Sequence, residues 1–322
     1  MVPWPNSLGF GGGSRDFTTG TGPGPRRRDL YHPEVVELGP IGVWWSGAWR
    51  PGPEEDAGDM NVAGELEGLG YGAVWSSGGF NPGLSSRFGR LLDATENLTV
   101  ATGIVSVWAS TAAEISDAVA ALEVAHPGRF LLGLGASHAV MVGDYRRPYE
   151  KVVGYLDELD ALGSVGRSRR VLAALGPRML ELAAARAAGA HPYFVPVEHT
   201  ARARTVLGTG PLLAPEVTVV LESDPGRART LARGFTTGYL TLPNYTNNLR
   251  SLGFDDDDLR DGGSDRLVDA VVAWGDIDAV ADRVRSHLDA GADHVCVQVV
   301  DDGGGTFPLA AYRQLAGALF GS

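Results

Sequence analysis

The chain is poor in lysine, cysteine and long apolar runs, and each shortage excludes a class of protein. Lys151 is the single lysine among 27 basic residues, and it lies beside Glu150 in a polar helix start. A Schiff-base enzyme needs a desolvated lysine at a strand end, so a class I aldolase is excluded. The single cysteine, Cys296, has no intrachain disulfide partner, so we expect a cytoplasmic protein. No segment approaches the ~18 apolar residues of a membrane helix.

Charge and missing motifs narrow the function further. The 322 residues carry a formal net charge of -12, which disfavours nucleic acid and anionic membranes as partners and leaves a small-molecule substrate. The first apolar strand, Gly42 to Trp45, offers no metal ligands, so we expect no metal, and no G-x-S-x-G nucleophile elbow occurs. An apolar, aromatic site with few polar groups remains, and such sites hold flat ring cofactors.

Eight apolar runs, each followed by a segment of helical period, predict an α/β fold of the (β/α)8 TIM-barrel type. Strands buried on both faces by helices are apolar almost throughout, as several of these are. The ligand of such a barrel lies over the carboxyl ends of its strands. The predicted strands are Ile41 to Ser46, Ala73 to Ser77, Leu98 to Val107, Arg129 to Gly135, Val171 to Leu175, Pro192 to Val197, Glu216 to Leu221 and His294 to Val300.

Composition divides the chain into a lead-in and one domain. Residues 1–40 are rich in glycine and proline and lack a period, so we predict a flexible lead-in, followed by a barrel domain over residues 41–322. After strand seven, Pro243 to Trp274 exceed an ordinary connection and predict an insertion that acts as a lid or substrate wall. The acidic run Asp255 to Asp258 lacks calcium-loop spacing and is interpreted as solvated.

Three strand ends carry candidate site residues. Gly133 and Gly135 end strand four, where they either let a ligand approach the backbone or serve barrel packing. His138 follows them and is a candidate for moving a proton near neutral pH. After strand five, the stretch Gly176 to Met179 is either an anion-binding helix start or a plain one. Gly103 lies inside strand three, where an interior glycine marks a possible bulge.

These segments together resemble the bacterial luciferase-like monooxygenase superfamily and, within it, the branch of oxidoreductases that use the deazaflavin coenzyme F420. The resemblance covers roughly Ile41 to Leu319. It rests on the stretches Ala101 to Val105, Leu122 to Glu123 followed by Pro127 to Gly135, and Ala173 to Pro177. The preference for F420 rests on softer likeness at Ser137-His138 and over Gly189 to Phe194.

The resemblance implies a luciferase-like barrel that transfers a hydride between F420 and a small organic substrate. It also implies a non-prolyl cis peptide in a bulge between Gly103 and Ser106, and a proton-donating or substrate-orienting role for His138. The cofactor-binding residues that it implies are Gly103, Ile104, Val105, Ser106, Ala136, Ser137, Ala174, Leu175, Gly176, Arg178 and Met179. The substrate-pocket candidates are Trp44, Trp45, Trp75, Trp108 and His199, although core packing explains each tryptophan at least as often.

Two alternatives to this function stay open. One is an FMN-dependent monooxygenase that takes reduced flavin from a partner reductase and consumes oxygen. The other is a catalytically silent barrel that binds a flavin-like or anionic ligand. Members of the superfamily commonly pair, so a homodimer is expected.

One departure from the F420 branch affects the chemistry. Several members carry an Asp-His pair at the end of strand two, whereas this chain reads Trp75 to Gly79 without one. We therefore favour reduction of an activated double bond or carbonyl, with His138 as the proton donor. His191 and His294 are predicted to open strands six and eight at the amino-terminal face, and His287 is predicted to be exposed.

Overall fold

Parallel strands curl into a barrel with the helices on its outside. The computed structural model describes residues 36–45, 53–77, 84–302 and 307–321. All strand pairings in that part of the chain are parallel, in the order β10, β9, β11, β1, β2, β3, β5, β6, β7, β8, with β4 on β5. The strands are β1 (Ile41–Trp45), β2 (Ala73–Ser76), β3 (Thr99–Thr102), β4 (Val105–Ser106), β5 (Phe130–Gly135), β6 (Arg170–Leu172), β7 (Gly189–Ala190), β8 (Leu212–Leu213), β9 (Glu216–Leu221), β10 (Val272–Gly275) and β11 (Val295–Val299).

Helices follow the strands and cover the outer face of the sheet. They are α1 (Pro53–Gly68), α2 (Leu84–Asp93), α3 (Ala112–Ala125), α4 (Pro148–Leu162), α5 (Pro177–Arg186), α6 (Val197–Leu207), α7 (Pro225–Tyr239), α8 (Pro243–Ser251), α9 (Asp265–Val271), α10 (Ile277–Asp289) and α11 (Leu309–Phe320). None of these described helices is long and apolar enough to cross a membrane. The described side chains also contain no cluster of three or more histidine, cysteine or carboxylate groups suited to a metal ion.

The sheet closes on itself through residues 212–221. On one side β8 pairs with β7, and the pairing continues where the Glu216 amide donates to the Pro192 carbonyl at 2.9 Å. On the other side β9 pairs with β11, and the Cys296 amide donates to the Pro215 carbonyl at 2.9 Å. This one stretch of chain therefore joins both ends of the sheet, and the predicted TIM-barrel class is confirmed.

Three of the predicted strands differ from the structure, of which strand five is β6 and ends at Leu172 rather than at Leu175. Strand six is the short β7, whereas the predicted run Pro192 to Val197 is a loop that ends where α6 begins. Phe194 in this loop has a φ of 58°, a left-handed conformation that an apolar side chain rarely adopts and a strand cannot contain. Strand three is divided into β3 and β4 by a break at Gly103 and Ile104. Residues 1–35 of the predicted lead-in lie outside the described residues.

The predicted insertion after strand seven contains α8, α9 and β10 rather than an irregular loop. Its acidic run is not wholly solvated, because Asp258 is only 7% exposed. The Asp258 carboxylate accepts hydrogen bonds from the Ser264 hydroxyl, at 2.6 Å, and from Arg266. The Asp255 carboxylate accepts from the Asp257 and Asp258 amides at 2.9 and 3.0 Å. The aspartates therefore shape the turn between α8 and α9.

Gly133, in β5, is required for the packing of β5 against β3. The Thr102 hydroxyl donates to the Gly133 carbonyl at 2.9 Å and accepts from the Gly133 amide at 2.7 Å. A Cβ atom at Gly133 would overlap the Thr102 carbonyl oxygen, which is backbone and cannot move aside. Of the two interpretations of this glycine, barrel packing is therefore confirmed.

A carboxyl group is buried inside the barrel at Glu216, which is 1% exposed. Its Oε1 atom accepts from the Thr218 hydroxyl at 2.6 Å, and its Oε2 atom accepts from the Phe194 amide at 3.3 Å. Burial raises the pKa of Glu216 to about 7, and these two hydrogen bonds act in the opposite direction. Glu216 thus holds the loop after β7 from inside the barrel.

We predict that Gly133→Ala lowers the free energy of unfolding by about 1–3 kcal/mol or more, because the new methyl group would overlap a backbone carbonyl inside a closed barrel. Gly154, in the middle of α4, has open space where its Cβ would lie. Gly154→Ala should therefore leave stability unchanged or raise it by about 0.5–1 kcal/mol. Urea denaturation of both variants measures the difference, and equal stability of the two would contradict the packing role.

We predict that Glu216→Gln changes how stability depends on pH. A carboxyl whose pKa is raised on folding contributes stability that is fully present below its unfolded pKa and is lost as pH rises through about 7. Glutamine has no proton to lose, so the variant should match wild type near pH 4, below the ordinary glutamate pKa of 4.5, and exceed it at pH 8.5. Denaturation at several pH values checks this, with Glu158→Gln on the exposed face of α4 as the control. Parallel pH profiles for wild type and Glu216→Gln would refute the prediction.

Candidate active site

The chain segments that follow β3, β5, β6 and β7 meet at one end of the barrel, because parallel strands end on the same side. Most of the predicted site residues lie in these segments. A cis peptide joins Gly103 and Ile104 in the break between β3 and β4, where the resemblance predicted it. The Gly103 amide donates to the Ser76 carbonyl at 2.9 Å, so the break remains bonded to strand two.

The side chains around this break fit only because two of the neighbouring residues are glycines. A Cβ atom at Gly103 would overlap the Trp44 ring and lie 2.9 Å from Nε2 of His191. A Cβ atom at Gly135 would lie 2.9 Å from the Ile104 side chain and 3.0 Å from Ala173. Gly103 therefore makes room for a tryptophan inside the barrel, and Gly135 makes room for the bulged isoleucine.

His191 is stacked between two tryptophans inside the barrel. Its ring lies 4.2 Å from the Trp75 ring and 5.7 Å from the Trp44 ring, nearly parallel to both. The Nδ1 atom donates to the Ala214 carbonyl at 2.6 Å, so Nε2 carries the lone pair. This buried Nε2 has no hydrogen-bond partner in the described part of the chain. Burial lowers the pKa of His191 to about 4, so the ring is uncharged at neutral pH.

The prediction for His191 was wrong, because the strand register was wrong. The residue follows β7 at the carboxyl end of the barrel rather than preceding a strand at the amino end. His294 does precede β11, and its Nδ1 donates to the Gly39 carbonyl at 2.7 Å. Its Nε2 accepts from the Trp75 indole at 3.0 Å. His191 therefore stacks on the face of the Trp75 ring, whereas His294 accepts a hydrogen bond from the indole N–H of the same residue.

The predicted tryptophan wall is only partly assembled. Trp44 faces the interior and its ring lies 5.0 Å from that of Tyr193. Trp45 points to the opposite face of β1 and packs on Phe307 in the outer core, 4.5 Å between rings, so it does not line the interior. Trp75 is fully buried and serves as interior packing. Core packing is therefore the better interpretation of Trp45 and Trp75.

Trp108 lies just after β4 and remains half-buried. Its ring is 5.8 Å from Tyr145, and the Lys151 amino group lies 5.6 Å from the ring centre. Its buried indole nitrogen has no partner among the described residues. The Ser106 hydroxyl accepts a hydrogen bond from the Trp108 backbone amide at 3.3 Å, which holds the backbone of Trp108 close to the end of β4.

The segment Ala136 to His138 leaves β5 in an unusual backbone conformation. Ser137 has a φ of 58°, and its carbonyl accepts from the Tyr145 hydroxyl at 3.2 Å. His138 is half-buried, and its Nδ1 lies 3.0 Å from the side-chain oxygen of Asn244 in the first turn of α8. Burial lowers the pKa of His138, while the bond to Asn244 acts in the opposite direction. The insertion thus reaches the candidate proton-transfer residue.

The predicted phosphate loop runs from Ala174 to the start of α5. Gly176 is the N-cap of α5, no side chain caps the helix, and Pro177 occupies its first turn. Arg178 is exposed, with its guanidinium 3.8 Å from the Tyr149 ring centre and 3.7 Å from a Glu150 oxygen. An uncapped helix start beside an arginine is suited to an anion. Met179 is half-buried in the same turn.

His199 supports this loop from behind rather than lining the pocket. It lies in α6, is 1% exposed, and its Nε2 donates to the Leu175 carbonyl at 2.8 Å. Its Nδ1 has no partner among the described residues, and burial lowers its pKa. His287, predicted to be exposed, is buried, and its Nδ1 is bonded to the Thr200 hydroxyl at 2.9 Å. That prediction was wrong because His287 lies three residues after Val284 and seven after Val280, on the buried face of α10, and this helical spacing outweighs the polarity of the residue.

A group of tyrosines at the mouth was not among the predicted site residues. The Tyr193 hydroxyl donates to the Gln298 side chain at 2.7 Å and lies 2.8 Å from the Tyr239 hydroxyl. Tyr245 of α8 is 5.5 Å from the Tyr239 ring and 5.4 Å from His138. The unusual length of the segment after strand seven indicated only that Tyr245 reaches the barrel mouth, since Tyr193 precedes α6 and Tyr239 ends α7, both outside that segment.

A comparison of sequences relates part of the chain to a known family. Residues 56–162, from α1 to the end of α4, match the model of the luciferase-like monooxygenase family. This match includes the bulge after β3 and the loop containing His138. No curated protein matches the chain.

Solved structures with the same fold include enzymes of both cofactor types. An F420-dependent secondary alcohol dehydrogenase in complex with an F420-acetone adduct superimposes with a TM-score of 0.66 at 13% identity, over 88% of this chain and 99% of that one. The coenzyme F420-dependent tetrahydromethanopterin reductase of Methanopyrus kandleri gives 0.64 at 14%, over 88% and 99%. The oxygenating constituent of 3,6-diketocamphane monooxygenase from Pseudomonas putida, with FMN, gives 0.62 at 14%, over 87% and 97%.

At these identities the structures establish the fold, and the family model establishes the sequence relationship. The predicted resemblance to luciferase-like monooxygenases is confirmed in sequence over residues 56–162, and the solved structures confirm the barrel fold over most of the chain.

Proposed function

We propose that this protein is a luciferase-like oxidoreductase that binds coenzyme F420 at the mouth of the barrel and exchanges a hydride with a small organic substrate. The observation that carries the proposal is the uncapped, arginine-bearing start of α5 next to the glycine-lined break in strand three. The α5 start suits a phosphate, and the apolar surface around Gly103 and Ile104 suits a flat ring. Bound F420 supplies the hydride chemistry, while the chain binds and orients the reactants.

Basic residues near the α5 start favour F420 over FMN. Arg146 and Arg147 precede α4, Lys151 lies in its first turns, and Arg178 begins the adjacent helix. Two of the four have acidic neighbours, since Arg146 pairs with Asp144 at 2.7 Å and Arg178 approaches Glu150. These four basic residues form what we call the basic rim. With their two acidic neighbours they carry a positive net charge, although the chain as a whole is acidic. FMN has one phosphate, whereas F420 continues beyond its phosphate into a tail of carboxylates that a basic rim can bind.

The chain's own residues take distinct parts in this proposal. Ala174 to Met179 and the basic rim would hold the anionic part of the coenzyme. Gly103 to Ser106, Ala136 and Ser137 would contact the ring, and Trp44 and Trp108 would border the substrate. His138 would face the reacting group. A homodimer, and a partner reductase in the FMN alternative, remain predictions of the same kind.

We predict that the protein binds F420 and that Arg178→Gln weakens this binding roughly tenfold, the loss of one charge-assisted hydrogen bond. Coenzyme fluorescence during titration with protein measures the affinity, and FMN is titrated in parallel. Arg285→Gln, in α10 and 45% exposed, removes the same charge elsewhere and should bind F420 as wild type does.

The alternatives give different outcomes in the same titrations. Preference for FMN, with oxygen uptake when reduced FMN is supplied, would replace the proposal with a monooxygenase. Binding of F420 without turnover across a broad substrate panel would indicate a silent ligand-binding barrel. Binding of neither coenzyme would reject the proposed site.

A further inference from the structure

The hydrogen bond between His138 and Asn244 determines which nitrogen of the imidazole carries hydrogen. It joins Nδ1 of His138 to the Oδ1 atom of Asn244 at 3.0 Å. An amide oxygen only accepts hydrogen bonds, so Nδ1 must be the donor. A neutral imidazole has one N–H group, and Nε2 of His138 is then a lone-pair acceptor.

The surroundings of His138 favour the neutral ring. Burial lowers its pKa, and the only opposing influence resolved is the bond to Asn244, which is uncharged. The ring that faces it, Tyr245 at 5.4 Å, has a pKa raised by burial and is also uncharged near neutral pH. Within the described residues, no hydrogen bond or ion pair engages Nε2 of His138.

Helix α8, which contains Asn244, packs tightly against the barrel. Tyr245, the next residue, is 7% exposed and packs on Phe194 and Tyr239, with ring centres 5.5 Å away in both cases. Phe194 is in turn held by the carboxyl group of Glu216 through its backbone amide. Asn244 is exposed, yet it is adjacent to a fixed point of the core.

We propose that Asn244 is a positioning residue that holds His138 as the Nδ1-protonated neutral imidazole, so that Nε2 accepts a hydrogen bond or proton from a hydroxyl group of the substrate. The inference rests on the proposed function, because it takes the barrel mouth as the substrate site. It reverses the role expected from the sequence, in which His138 donated a proton to a double bond or carbonyl. It also places the ligand in the class of alcohols and other hydroxyl donors.

An amide partner has a consequence that a carboxylate partner would not have. A carboxylate beside Nδ1 stabilises the imidazolium and raises the pKa of the histidine, whereas an amide orients the ring without adding charge. Asn244 therefore supplies orientation from the insertion, and it leaves His138 unprotonated at neutral pH. The chain in this way compensates for the Asp-His pair that is missing at the end of strand two.

The tautomer is measured directly by nitrogen NMR of the full-length protein labelled with 15N-histidine, without any coenzyme. The chain has 7 histidines, and the signals of His138 are those lost in His138→Gln. We expect Nε2 to show the shift of an unprotonated ring nitrogen above the pKa. In Asn244→Ala the population of this tautomer relative to the other should fall about fivefold, the loss of one net hydrogen bond.

The matched test of charge is Asn244→Asp against Asn247→Asp. Asn247 is on the same helix and exposed, and its side-chain oxygen accepts from Arg250 at 3.3 Å. Asn244→Asp should raise the pKa of His138, whereas Asn247→Asp should leave it as in wild type. In the loaded enzyme, Asn244→Asp should move the acid limb of the kcat/KM profile for alcohol oxidation upward by about 1 pH unit. A purely structural role would lower the rate without moving that limb.

Three results would overturn the inference. The first is an Nε2-protonated His138 in the wild-type protein, and the second is the same tautomer population in wild type and Asn244→Ala. The third is turnover confined to reduction with a rate that falls as His138 loses its proton. Because the NMR measurement needs no coenzyme, failure to bind F420 would refute the proposed function while leaving the tautomer result intact.

Discussion

The packing of side chains at the carboxyl end of the barrel depends on Gly103, because glycine has no side chain. Because this residue has no Cβ atom, the Trp44 ring lies directly against the backbone of strand three, and Nε2 of His191 lies within 2.9 Å of where that Cβ would be. Any larger residue would displace a tryptophan that already packs on His191 and Tyr193. A close-packed interior gives such a ring nowhere to go. The bulge and the aromatic interior are therefore one structural unit.

The same unit is tied to the closure of the barrel. His191 donates from Nδ1 to the Ala214 carbonyl, and Ala214 lies in the stretch that joins both ends of the sheet. Two residues later, Glu216 holds the loop that carries Tyr193 and Phe194. Contacts inside the barrel thus determine the path of the loop after β7. The loop then supplies the surface on which Tyr245 and α8 pack.

The fold was largely predictable because buried strands and amphipathic helices leave a clear apolar pattern. Glu216 to Leu221 was predicted to the residue. The error at strand six shows the limit of that pattern: Pro192 to Val197 is apolar because it is buried, yet two prolines and the left-handed Phe194 make it a loop. The true strand, Gly189–Ala190, has no side chains that signal a strand. Apolar composition reports burial, and only backbone geometry separates a buried loop from a strand.

The candidate site was predictable where it follows strand ends and unpredictable where it depends on distant contacts. The cis peptide after Gly103 lies where the resemblance predicted it, and the loop containing His138 and the start of α5 follow β5 and β6, while their binding roles stay predictions. Asn244 is 106 residues from His138, and nothing in either local sequence connects them. Insertions vary without disturbing the barrel, so a residue supplied by an insertion has no motif around it. The contact of Asn244 with His138 is visible only in the tertiary structure.

The distribution of charge links the interior and the rim of the site. Burial lowers the pKa values of His191 and His294 to about 4, so both rings are uncharged near neutral pH, and it raises that of Glu216 to about 7, so this carboxyl is only partly ionised there. Full charges lie instead on the exposed residues at the starts of α4 and α5. This arrangement would favour one orientation of the proposed coenzyme, because desolvating its anionic tail inside the barrel would cost free energy that binding at the exposed basic residues does not. In the proposed function, the distribution of charge at the barrel mouth would therefore orient the coenzyme before any specific contact is made.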